Sequence, residues 1–183
     1  MTNPLLGPWD TPFQMPPFDR IEDDHFRPAV EAALEEARAN VAAIADSDEA
    51  PTFANTVEAL ERSDETLGRV LGVFYNIAGA DTNDTRQELS RDFSPMLSAF
   101  SSDVAMNEAL FQRIETVWQA RDSLDLTAEQ QRLLYLTRRR FVRAGAELEG
   151  IAKDRLRSVT ERLSSLGVQF TQNLLADERD WFM

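Results

Sequence analysis

The placement of the prolines constrains the fold of this chain more than any other feature. Five of the eight prolines lie within the first 17 of 183 residues, and none follows Pro95. Because proline lacks an amide proton and fixes φ, the interior of a helix rarely tolerates it. The sequence therefore predicts an extended, proline-rich N-terminal arm over residues 1–21 and a helical region over residues 22–183.

Apolar residues recur at three- and four-residue spacing along the second region, which is the period of a helix buried on one side. The stripes are Val30–Ile44, Val57–Leu60, Leu67–Ala78, Leu89–Val104, Leu110–Trp118, Leu133–Phe141 and a near-heptad seam of Leu156, Val159, Leu163, Leu166, Phe170 and Leu174. No segment alternates like a strand, and no Asn-Gly or Asp-Gly turn occurs. The predicted fold class is all-α, a multi-helix antiparallel array resembling a bundle.

Short polar residues mark where several of these helices begin. Thr52, Asn107 and Thr127 are each placed to cap a helix, and Thr127 is followed three residues later by Gln130, as in a capping box. Asp84 and Gln87 show the same spacing. Pro95 falls inside a predicted helix, where we expect it to introduce a kink.

The composition excludes several kinds of chemistry. The chain has no cysteine and one histidine, so it cannot by itself form a Cys/His zinc finger, a Cys-His protease site or a two-histidine metal site. Its formal charge of −13 opposes binding to nucleic acid or to anionic membranes. The N-terminus has no basic, apolar leader, and no apolar run approaches the ~20 residues that span a bilayer, so we expect a cytoplasmic protein.

The motifs that could carry chemistry are weak. Glu22 and His25 have the Glu-x-x-His spacing of di-iron carboxylate bundles, but the second histidine is missing, and a capping role for His25 is favoured. Asp46–Asp48 and Asp81–Asn83 resemble the start of a calcium loop but lack its later glycine and glutamate, which favours loops and caps. No catalytic, cofactor-binding or metal-binding residue is predicted.

Arg138, Arg139, Arg140 and Arg143 form the strongest basic cluster. In so acidic a chain, intramolecular ion pairs are favoured over anion recognition. Phe13, Phe18, Phe26 and Phe53 lie near prolines, and we interpret them as anchors between arm and core rather than as a peptide-binding box.

Short segments throughout the chain together resemble the N-terminal region of the thimet oligopeptidase family of zinc peptidases. The matching segments are Asn3–Leu6, Pro17–Ile21, His25–Ala29, Thr52–Glu61, Thr82–Asp84, Ser94–Pro95, Leu110–Phe111, Phe141–Ala146, Leu163–Leu166, Phe170 and Asn173–Leu175. Val117–Arg121, together with His25–Ala29 and Phe141–Gly145, is most similar to the bacterial peptidyl-dipeptidase branch.

The resemblance implies a helical, two-lobed, cytoplasmic zinc peptidase that encloses short peptides in a channel and removes C-terminal dipeptides. The family's zinc site, His-Glu-x-x-His with a later glutamate, has no counterpart among these residues. The resemblance therefore implies a non-catalytic helical domain that walls the channel and has the catalytic domain as its intramolecular partner.

Two hypotheses follow for the chain as a whole. In the first, it is the N-terminal segment of a longer zinc peptidase, inactive alone, and an apolar patch near Trp181, Phe182 and the preceding seam is exposed. In the second, it is a free-standing α-helical interaction module without peptidase activity.

Overall fold

The computed structural model describes residues 3–156, 158–159, 162–163, 166–167, 170 and 173. The helices are α1 (Phe26–Ala45), α2 (Ala59–Glu61), α3 (Glu65–Ala80), α4 (Asp84–Ala105), α5 (Glu108–Ala120) and α6 (Ala128–Arg143). A π-helical segment, Phe53–Glu58, leads directly into α2, and short 3₁₀ turns form at Pro12–Gln14, Asp23–His25 and Arg121–Ser123. No strand occurs among the described residues, so the predicted all-α class is confirmed.

Helix α1 is the centre of the core and packs against α3, α4 and α5. All six residues predicted to form its inward face are buried: Val30, Ala33, Leu34, Ala37, Val41 and Ile44. Phe74 of α3 makes edge-to-face contacts with Phe26 of α1 and Phe93 of α4, with ring centroids 5.1 and 5.0 Å apart. These buried rings join three helices, and each pair contributes about 0.5–1.5 kcal/mol beyond the area that it buries.

The predicted helix starts are mostly confirmed. The side chains of Thr52, Asn107 and Thr127 each accept a hydrogen bond from the backbone N–H three residues later. The prediction at Asp84 is wrong by one residue, because Asn83 caps α4 by accepting from the N–H of Arg86 at 2.8 Å. Asparagine and aspartate cap about equally well, and spacing alone does not distinguish adjacent candidates.

The N-terminal segment passes through turns, and the predicted extended arm is not seen as such. Leu5 is fully buried, and Trp9 lies beneath the Arg69 guanidinium at 5.0 Å while its Nε1 donates to the Pro4 carbonyl. Phe13 is 96% exposed and anchors nothing. The anchoring residues of this segment are therefore Leu5 and Trp9.

The chain forms two compact units, Met1–Ala144 and Gly145–Met183. The first holds residues 3–22 together with α1 to α6, and the boundary predicted at residue 21 stays a prediction. Gly145, with φ of +96°, follows the end of α6, and a Cβ there would collide with Leu156. Its conformation is one that glycine adopts without strain.

In the second unit, residues 150–156 and the described residues that follow are helical. The seam predicted there is exposed at Val159, Leu163, Leu166 and Phe170, with Leu163 and Phe170 showing 63% and 70% of their surface. This part of the expected apolar patch is confirmed, whereas Trp181, Phe182 and Leu174 lie outside the described residues. Across the described residues, no helix is both long enough and apolar enough to cross a bilayer.

Candidate functional site

A surface lined by aromatic and basic side chains lies where α5 and α6 run side by side. The turn Arg121–Ser123 ends α5, and the Thr127 cap starts α6 a few residues later, so the two helices form a hairpin. Trp118 near the end of α5 thereby meets Tyr135 of α6, with ring centroids 6.3 Å apart and an interplanar angle of 44°. Each ring remains partly open to solvent.

A cleft of about 400 Å³ opens beside these two rings. It is lined by Trp118, Arg121, Asp122, Leu124, Gln131, Leu134 and Tyr135. Leu134 belongs to a buried cluster with Phe53, Val57 and Val117, against which Trp118 and Leu124 also pack. The cleft therefore has a rigid apolar floor and lies within the usual volume range of ligand pockets.

Four guanidinium groups surround the two rings. Those of Arg121 and Arg138 lie 4.4 and 5.2 Å from the centroid of Trp118. Those of Arg132 and Arg139 lie 5.2 and 5.3 Å from the centroid of Tyr135. Arg132, Tyr135 and Arg139 are spaced by three and four residues, which places them on one face of α6.

Two of these four arginines have a carboxylate partner. Arg138 donates from Nε to Glu115 Oε2 at 2.7 Å, in a pair that is about three-quarters buried. Arg121 lies 3.3 Å from the exposed carboxylate of Asp122 and donates to the Trp118 carbonyl oxygen at 2.9 Å. Within the described part of the chain, neither Arg132 nor Arg139 contacts a carboxylate. This surface is thus locally cationic on a chain of charge −13.

The structure corrects the expectation that the predicted arginine cluster is neutralised by ion pairs. Of its four members, Arg138 forms such a pair with Glu115. Arg139 and Arg140 instead lie over the rings of Tyr135 and Phe141. A guanidinium is weakly hydrated and stacks readily on an aromatic face, so Arg139 lies over the ring four residues before it, and Arg140 lies over the ring of the next residue.

His25 has the capping role that the sequence favoured. Its Nδ1 accepts a hydrogen bond from the backbone N–H of Glu22 at 3.0 Å, in the turn that precedes α1. Asn83, from the second calcium-like segment, caps α4 and donates from its side chain to Asp23 at 2.7 Å. Both observations support the structural interpretation of these motifs.

The residues present do not fit the zinc that the family resemblance implies. No group of three or more histidine, aspartate or glutamate side chains is placed to hold a metal ion among the described residues. The single imidazole is already oriented by Glu22. The absence of catalytic residues in this chain stays a prediction.

The four phenylalanines near prolines divide into two pairs. Phe26 and Phe53 are buried in the core, as the anchoring interpretation requires. Phe13 and Phe18 are exposed, so for them that interpretation is wrong.

The α5–α6 cleft is not predicted from the sequence, because the apolar period of α5 places Trp118 on the inward face. The signals available were the three- and four-residue spacing of Arg132, Tyr135 and Arg139, and the short connection between the two helices. Together these signals place an aromatic and cationic face of α6 opposite the end of α5.

Comparison with known proteins identifies relatives over almost the whole chain. It is 45% identical over 175 residues, or 96% of its length, to a dipeptidyl carboxypeptidase of Salmonella typhimurium. It is 41% identical over 174 residues to the Escherichia coli protein of the same name, and 29% identical over 181 residues to oligopeptidase A of E. coli. The chain spans about a quarter, 26%, of the length of each. No protein-family model matches it.

Proposed function

We propose that this chain, a homologue of one segment of the thimet oligopeptidase family of peptidases, is a non-catalytic helical part of a longer zinc peptidase that removes C-terminal dipeptides from short peptides. The observation that carries the proposal is the 45% identity to a dipeptidyl carboxypeptidase over 96% of this chain. Such similarity across nearly every described helix supports a shared ancestor for the segment as a whole.

The residue types in this chain favour a structural role over a catalytic one. A zinc peptidase site of the His-Glu-x-x-His type needs two imidazoles, and this chain has one. The catalytic zinc and its ligands therefore belong to other residues of the longer protein. The helices of this chain supply a wall that limits which peptides reach that site.

The exposed seam on the second unit supports a covering partner. Val159, Leu163, Leu166 and Phe170 follow one another at spacings of three and four residues, so they share one helix face. Burying a Leu or Phe side chain contributes about 1.5–3 kcal/mol. In the proposed parent protein, the catalytic domain covers this face, and the assembled protein acts on peptides in the cytoplasm.

The reading frame that encodes this chain tests the first part of the proposal. A continuation past the codon for Met183 that encodes His-Glu-x-x-His supports it. A stop codon at that point favours the free-standing interaction module and contradicts a parent peptidase.

The covering role is tested by polar substitution of the seam in the longer protein. Leu163→Gln with Phe170→Gln keeps good helix formers, and we expect it to lower both the stability of the longer protein and its peptidase activity. Arg38→Gln, at an exposed position on α1, is the matched control and should change neither. Unchanged stability and activity in the double variant would show that nothing covers the seam.

A further inference from the structure

We infer that the α5–α6 cleft is a binding site for peptide carboxylates, in which an apolar side chain enters the cleft and the neighbouring carboxylates meet Arg132 and Arg139. The inference extends the proposed function by naming the class of peptide that this segment selects, so it rests on that proposal in part. The binding itself is a property of this chain alone.

The unpaired guanidinium groups provide the first argument. Arg132 and Arg139 are held beside Tyr135, at 5.2 and 5.3 Å from the ring centroid, without a carboxylate partner among the described residues. Stacking on the ring restricts each side chain before a ligand arrives, so less rotamer entropy is lost on binding. A carboxylate accepts hydrogen bonds from a guanidinium in a bidentate geometry that no other common peptide group matches.

The shape of the cleft provides the second argument. Leu124 and Leu134 form an apolar floor, and Trp118 and Tyr135 form its aromatic wall. A cleft of about 400 Å³ accommodates one or two amino-acid side chains, but not a folded domain. The ligand that fits both features is an unstructured peptide with an apolar side chain close to a carboxylate.

The charge balance provides the third argument. Asp122 lines the cleft with its side chain 86% exposed, and it pairs with Arg121 at 3.3 Å. It is the one carboxylate among the lining residues. An incoming carboxylate competes with Asp122 for Arg121. Asp122 therefore weakens the binding of acidic ligands, and its replacement by a neutral residue should strengthen that binding.

Binding of fluorescent peptides to the full 183-residue chain, measured by anisotropy, tests the inference. The first probe carries two glutamates on each side of a Leu-Phe core and has blocked ends, and its control replaces every glutamate by glutamine. A third peptide has the glutamine sequence with a free C-terminal carboxylate. Binding of the first or the third identifies the carboxylate as coming from side chains or from the chain end, and either result supports the inference.

Charge-removing variants distinguish binding at this cleft from a general effect of the charge of the chain. Arg132→Gln with Arg139→Gln should weaken binding of the acidic peptide about tenfold, because two charge-assisted contacts are lost. Asp122→Asn should strengthen it about two- to threefold. Arg38→Gln with Arg91→Gln removes the same charge from exposed positions on α1 and α4 and should leave the affinity within about twofold.

Three results would overturn the inference. They are equal binding of all three peptides, equal weakening by the two double variants, and tighter binding of a single-stranded oligonucleotide than of any peptide. An absence of binding by all peptides overturns it as well. Because the chain is assayed without any peptidase activity, each of these results leaves the proposed function in place.

Discussion

Arg113 of α5 donates from Nη1 to the backbone carbonyl oxygens of Ser47 and Glu49, at 2.8 and 3.0 Å. The side chain is buried, and among the described residues no carboxylate pairs with it. Its guanidinium instead fixes the loop that leaves α1, immediately before Thr52 caps the next helical segment. One buried cation thus positions the connection between α1 and the π-helical segment.

Replacing Arg113 by methionine should lower the free energy of unfolding by about 2–3 kcal/mol. The variant keeps most of the apolar stem but leaves the partly buried carbonyl groups of Ser47 and Glu49 without their charged donor. Urea denaturation of the purified chain measures the effect. Arg38→Met, at an exposed position, is the control and should stay within about 0.5 kcal/mol of the wild type.

The pair formed by Asp23 and Arg86 should make stability fall in acid. Burial alone would raise the pKa of Asp23, but hydrogen bonds from Asn83 and Arg86 outweigh it and hold the pKa below 3.8. Because the folded state binds this proton less tightly than the unfolded chain, the stabilisation is present above about pH 4 and is lost as the pH falls through the lowered pKa.

Asp23→Asn tests this assignment. The variant should be about 1–2 kcal/mol less stable than wild type near neutral pH and should converge with it in acid. Asp24→Asn, whose side chain is exposed, should retain the wild-type loss of stability at low pH. A constant difference between Asp23→Asn and wild type from neutral pH into acid would contradict the assignment.

The Thr127 cap should contribute about 1 kcal/mol to stability. Its Oγ1 accepts a hydrogen bond from the backbone N–H of Gln130 at 3.2 Å. The Oε1 atom of Gln130 in turn accepts a hydrogen bond from the backbone N–H of Thr127 at 2.9 Å. Thr127→Ala removes the first of these bonds. Thr116→Ala, at an exposed site within α5, should have a smaller effect, and equal losses in thermal unfolding would show that the cap contributes nothing specific.

The exposed seam should contribute little to the stability of the isolated chain. Leu163→Gln with Phe170→Gln should change the free energy of unfolding by less than about 0.5 kcal/mol. Phe74→Ala, which empties the aromatic centre of the core, should cost about 3–5 kcal/mol. A loss in the double variant comparable with that of Phe74→Ala would mean that the seam is already buried in the isolated chain.

The sequence predicted the helices well because their signals are local. The period of Val30, Leu34, Val41 and Ile44 places one face of α1 inside, and the structure buries all four. Capping residues also act within one turn, so Thr52 and Thr127 were predicted correctly. The error at Asn83 arose between two adjacent residues of similar capping strength.

The features that the sequence did not predict depend on contacts between distant segments. The burial of Leu5 and the exposure of Phe13 depend on how the N-terminal turns lie against α3 and the turn before α1, which no local pattern encodes. The cleft at Trp118 and Tyr135 likewise forms only when α5 and α6 pack side by side. Periodicity predicts which face is apolar but not which neighbour covers it.

Peptidase activity, measured for this chain and for the product of the complete reading frame, tests the central claim most directly. The assay uses a blocked tripeptide with zinc supplied and detects the released C-terminal dipeptide by mass spectrometry. We predict that the 183-residue chain releases none, whereas the product of the complete reading frame does and loses the activity to a chelator. Chelator-sensitive release of the dipeptide by the 183-residue chain alone would contradict the account.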